Sequence, residues 1–448
     1  MGQASTRFHV ARIWGGLALA IAAAAGLWLA AGTAQAAPAA PPPTFVVNSL
    51  TDFPAAAPYT DGLCATGKTG GVGNGVCTLR AAIMEANHWP GGGATITFAP
   101  AQTNGRAILL NSVPITSAET EADGDLKLSQ NTWLRGNGAG MTIIDAQGLL
   151  MNDRVLEIDG GAVVTLTDLT VQNGTDQTGQ GGGDIYLGSG GSLTLDRVIV
   201  QNGDTTSAGA DGGGIRSDGN TLNVLNSTLV GNFAVGNGGA IDNNGALANI
   251  VNSTITGNYT VRAGGGVAVE SGVVYLFNAT VANNTADADL HNQGQGGGLA
   301  VMGGTTFLQN SLIANNQGSQ PFFTTSYIRA PDDCAGDPIS ADYNLLSIYV
   351  TPDPTACAMT LLSGDQVTTM VNLGPLENNG GPTPTLALLP GSAAIDAGNP
   401  NGCSGPLGVP LTADQRGFSR AANITGVARC DIGAFEVQRL VFLPLARR

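Results

Sequence analysis

The middle of the chain repeats itself with a fixed step. GGGIRSDGNTLNVLNSTLVGN (212–232), GGAIDNNGALANIVNSTITGN (238–258) and GGGVAVESGVVYLFNATVANN (264–284) follow one another at 26 residues. Looser copies flank them at 181–202 and 296–316. A period of this size is the signature of a solenoid, in which each repeat buries its apolar face only by stacking on the next. The step is too short for two helices with their turns. Alternating β-branched runs bounded by Gly and Asn read as short strands. One coil of about three strands therefore lies on the next at about 4.8 Å, the ordinary strand spacing.

The columns of the alignment carry chemistry. One is aliphatic: Ile199, Leu229, Ile255, Val281 and Ile313. A second holds Val224, Ile250, Leu276 and Leu308, with Thr194 in the first copy. Two more are amides: Asn173, Asn202, Asn232, Asn258, Asn284 and Asn316, and then Asp196, Asn226, Asn252, Asn278 and Asn310. Asn accepts turn conformations and hydrogen-bonds its copies above and below. That stacking role accounts for the N-x-S/T triplets without glycosylation. The fold class expected is all-β: a right-handed parallel β-helix with a small helix-containing N-terminal cap and a disulfide-stapled C-terminal region.

Residues 1–36 read as a secretory signal peptide. Arg7 and Arg12 precede an apolar run, and Ala34-Gln35-Ala36 gives a small-x-small cleavage site. A Pro/Ala spacer (37–43) follows, and no later stretch reads as a membrane span. Removing the leader takes the formal charge from −15 to −17, which argues against nucleic acid as a partner. Six cysteines fall into three local pairs, Cys64/Cys77, Cys334/Cys357 and Cys403/Cys430, all outside the repeats. After export, disulfides at the two solenoid ends are the simplest reading; zinc is a poor one, since no CxxC is present.

Residues 44–110 form the expected cap. Phe45–Asn48 and Ala94–Ala99 read as strands, and Thr78 as the N-cap of a helix whose apolar face is Leu79, Ile83 and Ala86. The repeats occupy 111–330, the C-terminal region 331–439, and an apolar-then-basic tail 440–448.

Cys77-Thr78-Leu79-Arg80, with Ala82 and Asn87, resembles the CSLREA motif of bacterial exported proteins, departing from it at Ala81 where the motif has Glu. WLRGNGAGMTIIDAQG (133–148) and DRVLEIDGGAVVTLTDLTVQNG (153–174) resemble parallel β-helix proteins of the polymorphic outer-membrane, adhesin-like kind. GPLENNGGPTPTLALLPGSAAIDAGN (374–399), DQRG (414–417) and CDIGAFE (430–436) are similar to the choice-of-anchor Q region, in which His is common where Leu386 stands here. These resemblances imply surface display and bring no reaction.

The chemistry of known β-helix enzymes is hard to find. The NTD, GHG and RIK motifs of polygalacturonase-like proteins are absent, and Asp332-Asp333 is the only adjacent acidic pair. Loops of unequal length precede the Gly-Gly runs, and stacking lines them along one edge. They hold Asp176 (174–180), Asp204 and Asp211 (203–211), and Asp287, Asp289 and His291 (285–295), while the shorter coils between expose Phe233, Tyr259 and Arg262. Loops three coils apart stand roughly 14 Å from each other. Acidic walls and an aromatic floor suit Ca²⁺ or a glycan chain, against the plainer reading of solvated polar loops; no other cofactor is implied. The expected protein is a secreted or cell-surface, non-catalytic β-helix in adhesion, display or binding of an extracellular polysaccharide or matrix. The alternative is a polysaccharide lyase or glycoside hydrolase at the same edge.

Overall fold

A computed structural model describes residues 42–111, 120–150, 152–291, 294–323, 326–347, 357–420 and 429–438. Residues 1–36, which read as a signal peptide, most of the Pro/Ala spacer and the tail at 440–448 lie outside the described residues. Between Thr44 and Val367 the described residues build a parallel β-helix. Each coil is built like the one at 215–234: Ile215–Ser217, Thr221–Leu225, Thr228–Val230, then Phe233–Ala234. Stacking these strands makes three faces and an edge ladder. Face 1 (the Ile215–Ser217 type) has eight strands, faces 2 and 3 have ten each, and the edge ladder has four.

The alternation read from the sequence is the alternation observed. Leu222 and Val224 point inward and are fully buried, whereas Thr221, Asn223 and Leu225 are half-buried. Directly above them stand Ala248 and Ile250, then Val274 and Leu276, then Thr306 and Leu308. Each buried Leu, Ile or Val in such a column contributes about 1.5–3 kcal/mol relative to exposure.

One copy is out of step with the alignment. Between Leu187 and Ser192 the turn has four residues, where the next coil has three between Ser217 and Thr221. The structure therefore stacks Leu195 under Val224, Val200 under Leu229, and Asp196 under Leu225. Thr194 faces outward beside Asn223, and Ile199 lies beside Thr228. Arg197, not Asp196, takes the left-handed turn position of Asn226, with φ of 58° against 49°. The side chain of Asp196 still serves the amide column, accepting from Asn226 Nδ2 at 2.8 Å. Likewise Gln201 pairs with Val230, so Asn202 stands beside Gly231 and Gly203 beneath Asn232.

The inner amide column is a continuous buried ladder. Asn232, Asn258 and Asn284 each donate from Nδ2 to Oδ1 of the next Asn, at 2.9, 2.9 and 3.0 Å. Asn316 donates to Asp333 Oδ1 at 3.0 Å, so an acceptor-only carboxylate ends the run. The acidic pair Asp332-Asp333 is thereby explained structurally: Asp332 accepts from the Gly296 N–H at 2.7 Å. At the opposite end Asp184 fills the space that Gly203 leaves, and accepts from the Gly174 N–H at 2.8 Å. Burial, with Asp145 adding repulsion, holds the Asp184 carboxyl well above its usual range. Its second oxygen has no hydrogen-bond partner among the described residues.

Because the folded state raises this pKa, the protein retains full stability below the unfolded value near 3.8 and loses part of it as pH rises toward the folded value. Asp184→Asn removes the ionisation. The variant is expected to gain on the order of 1–3 kcal/mol over the wild type at neutral pH and nothing below about pH 4. Melting temperatures across pH check this; parallel profiles would contradict it.

The N-terminal cap follows its expected outline. Thr44–Val47 and Ala94–Phe98 are the first two strands of face 2, and the helix Leu79–His88 closes the open end. Thr78 Oγ1 accepts from Ala81 N at 3.0 Å, and Leu79, Ala82, Ile83 and Ala86 join the core. Arg80, 1% exposed, clamps Asp52 through two hydrogen bonds of 2.8 and 2.9 Å and also donates to Gly124 O. Ala81 is fully buried beside Ala55 and Met84, a place where a Glu would lack water.

The ladders run past the boundaries drawn from sequence, from Thr44–Val47 to Gln366–Val367. All three cysteine pairs are bonded as paired by proximity. Cys64–Cys77 sits in the cap and Cys334–Cys357 at the last rungs of face 1. Cys403–Cys430 does not staple an end. The segment that carries it folds back along the flank, over the corner between faces 2 and 3. Asn252, Asn278 and Asn310 donate there to Ala413 O, Ser404 O and Asp431 O at 2.9, 2.8 and 2.8 Å. Gln415 joins Thr254 Oγ1 and Ser227 O, and Thr280 Oγ1 accepts from Ala434 N. The outer amide column is thus a docking strip as well as a turn.

Candidate functional site

The insertion loops do line up beside the edge ladder, but they use their acids differently from the expectation. Asp176 is buried. Its carboxylate accepts from the N–H groups of Thr178, Gly179 and Gly181 at 3.0, 3.2 and 2.9 Å, so it shapes its own loop. Asp287, also buried, accepts from His291 N at 3.1 Å and from Ser319 Oγ. Asp211 binds Arg216 Nη1 at 2.7 Å and accepts from Asn237 N at 2.6 Å. These three are corrections to the reading of acidic walls: short loops leave their N–H groups unpaired, and the nearest carboxylates turn in to satisfy them.

What remains is a groove along the coil edge. Phe233 and Tyr259 are neighbours in register on the edge ladder, with ring centroids 4.9 Å apart and planes inclined at 34°. Tyr259 is 42% exposed. The rings floor a depression of about 450 Å³ bounded by Asn283, Thr285, Asp289 and Arg329. Asp204 precedes Phe233 on the same ladder. Its carboxyl is half-buried, one oxygen has no partner among the described residues, and burial raises its pKa. Asp289 holds the exposed His291 at 2.8 Å. Arg262 is exposed on the adjoining turn, where its carbonyl accepts from Asp287 N. Phe233, Tyr259 and Asp289 are therefore brought together, and Asp176, Asp211 and Asp287 are not.

One wall residue has no counterpart in the repeat reading. Gln317–Phe323 and Ser326–Pro331 form an antiparallel hairpin that leaves the solenoid after its last regular repeat. It delivers Arg329 to the groove, where the guanidinium donates to the carbonyls of Ala286, Asp287 and Ala288 at 3.1, 2.9 and 2.6 Å. The run of Gln317 to Pro331 lies beyond the periodic columns, so periodicity could not place it.

A second polar cluster lies on face 1. Arg216 stands directly beneath Asp242 and is surrounded by Asp211, Asp218, Asp242 and Glu270. The 26-residue step carries Arg216 onto Asp242, so this pair was visible in the alignment. Periodicity alone does not distinguish it from any other outward polar pair.

No helix among the described residues is long and apolar enough to cross a membrane. Comparison with protein-family models, with curated proteins and with solved structures gives no match to this chain.

Proposed function

We propose that this β-helix acts outside the cell as a non-catalytic binder of extended glycan chains, held in the groove over Phe233 and Tyr259. The observation that carries the reading is the pair of adjacent rings on successive rungs of the edge ladder. Aromatic faces take up the apolar faces of sugar rings, and the two rings sit on adjacent rungs of the ladder. Polar neighbours at the rim, Asp289 and Arg329, fit hydroxyl recognition. Three disulfides and the predicted leader are compatible with an extracellular site of action. The resemblance to choice-of-anchor Q proteins suits display on the cell surface.

Binding is favoured over bond cleavage by the groove's composition. Glycoside hydrolysis uses two carboxyl groups flanking one bond. Asp289 is the one carboxylate among the described residues bounding the groove, and it is engaged with His291.

The test is retention of the protein by neutral and acidic polysaccharides in affinity electrophoresis. Phe233→Ala and Tyr259→Ala are each expected to weaken retention about tenfold or more, equivalent to about 1.4 kcal/mol. The rings are partly exposed, so the melting temperature should barely move. Retention unchanged in the double variant would sink the assignment.

A further inference from the structure

The charge balance on face 1 points to an ion. Outward positions on this face form the column Tyr186, Arg216, Asp242 and Ala268. Arg216 Nη1 lies 2.7 Å from both Asp211 Oδ2 and Asp242 Oδ2, its Nε 2.9 Å from Asp218 Oδ1, and its Nη2 3.6 Å from Glu270 Oε2. Four carboxylates thus face one guanidinium. The chain has only two lysines, and both are engaged elsewhere: Lys68 with Asp61 and Glu85, Lys127 with Glu157. No ammonium group among the described residues compensates the excess.

Asp242 makes the imbalance costly. Its side chain is fully buried and directed into the cluster. One oxygen holds Arg216 and the other, Oδ1, has no hydrogen-bond partner among the described residues. The next rung is Ala268, whose methyl group offers it nothing. Asn237 fixes the surroundings, donating from its backbone to Asp211 Oδ1 at 2.6 Å and from Nδ2 to Glu270 Oε1 at 3.2 Å. One carboxylate oxygen each from Asp211, Asp242 and Glu270 lie within 4.8 Å of one another.

We infer that Asp242, with Asp211 and Glu270, binds a single Ca²⁺ beside Arg216. Ca²⁺ takes oxygen ligands at about 2.3–2.6 Å, so two ligands on opposite sides of one ion stand about 4.6–5.2 Å apart. The three oxygens lie within that span. An irregular set of carboxylates suits Ca²⁺, whereas Mg²⁺ demands near-ideal octahedral geometry and Zn²⁺ prefers nitrogen and sulfur. Water completes the coordination on the exposed side, where Glu270 is 28% accessible. The ion gives the orphaned Asp242 oxygen a partner and joins rungs and loops of neighbouring coils.

The test is calorimetric titration of the whole protein with CaCl₂, alongside melting with and without the ion. The expected result is one site and a higher melting temperature with Ca²⁺. Asp242→Asn should abolish binding, and Glu270→Gln should weaken it tenfold or more and remove most of the thermal shift. If D242N fails to fold, E270Q still decides, because its side chain lies at the surface. Absence of binding at millimolar Ca²⁺, or equal affinity in wild type and E270Q, would overturn the site.

Discussion

Replacing Asn284 by Ala should destabilise the solenoid by about 3–5 kcal/mol, far more than an ordinary surface change. Asn284 sits in the middle of the buried ladder and is fully inaccessible. Its Nδ2 serves Ile255 O, Ala282 O and Asn316 Oδ1 at 3.0, 3.2 and 3.0 Å. Its Oδ1 accepts from both the backbone N–H and the Nδ2 of Asn258, at 3.0 and 2.9 Å. Truncation strips two donors and several acceptors of their partner in a place water does not reach, and an unsatisfied buried polar group costs about 1–3 kcal/mol. The nearby Asn283 is outside the ladder, so Asn283→Ala should cost much less. Chemical denaturation of both variants checks the contrast, and equal midpoints would show that the ladder contributes little.

Arg420→Met should loosen the C-terminal flank while leaving the β-helix folded. Arg420 is 2% exposed and donates from Nη2 to Asn252 Oδ1 at 2.9 Å and Gly433 O at 2.7 Å. It faces Glu436 at 3.5 Å. Burial pushes Glu436 up to about 7 and Asp431 up to about 6, with Arg420 acting against burial in each case. Removing the guanidinium leaves buried carboxylates without that counter-charge, a change that costs about 3–5 kcal/mol when one partner of a buried pair is lost. The penalty falls on docking of the segment, because Asn252 belongs to the solenoid and Arg420 does not continue any ladder. Hydrogen exchange should rise across 371–438 and stay unchanged at Leu229, Ile255 and Val281. Unaltered exchange on the flank would show that other contacts hold it.

The repeat was legible because stacking makes every coil solve the same packing problem. Aliphatic columns and amide columns could be read without coordinates, and so could the cap helix with Thr78 as its N-cap. The slip in the first copy came from a single extra residue at 188–191, which a count of Gly and Asn alone does not reveal. Site residues divided along a physical line. Phe233 and Tyr259 lie in register on the edge ladder, a relation the repeat period carries by itself. The acids in the loops were harder, since Asp176 and Asp287 answer to local N–H groups that no periodicity reports. Arg329 and Gln415 come from segments outside the repeat, and their positions depend on how non-periodic chain returns to the solenoid.

The most direct test of the central claim is to incubate the purified protein with a panel of neutral and acidic polysaccharides, with and without Ca²⁺, and to follow polymer length and retention together. A non-catalytic glycan binder should retain at least one polymer whose length stays constant, and lose that retention in the Phe233→Ala/Tyr259→Ala variant. Progressive shortening of any polymer would contradict the account and assign the edge to a lyase or hydrolase.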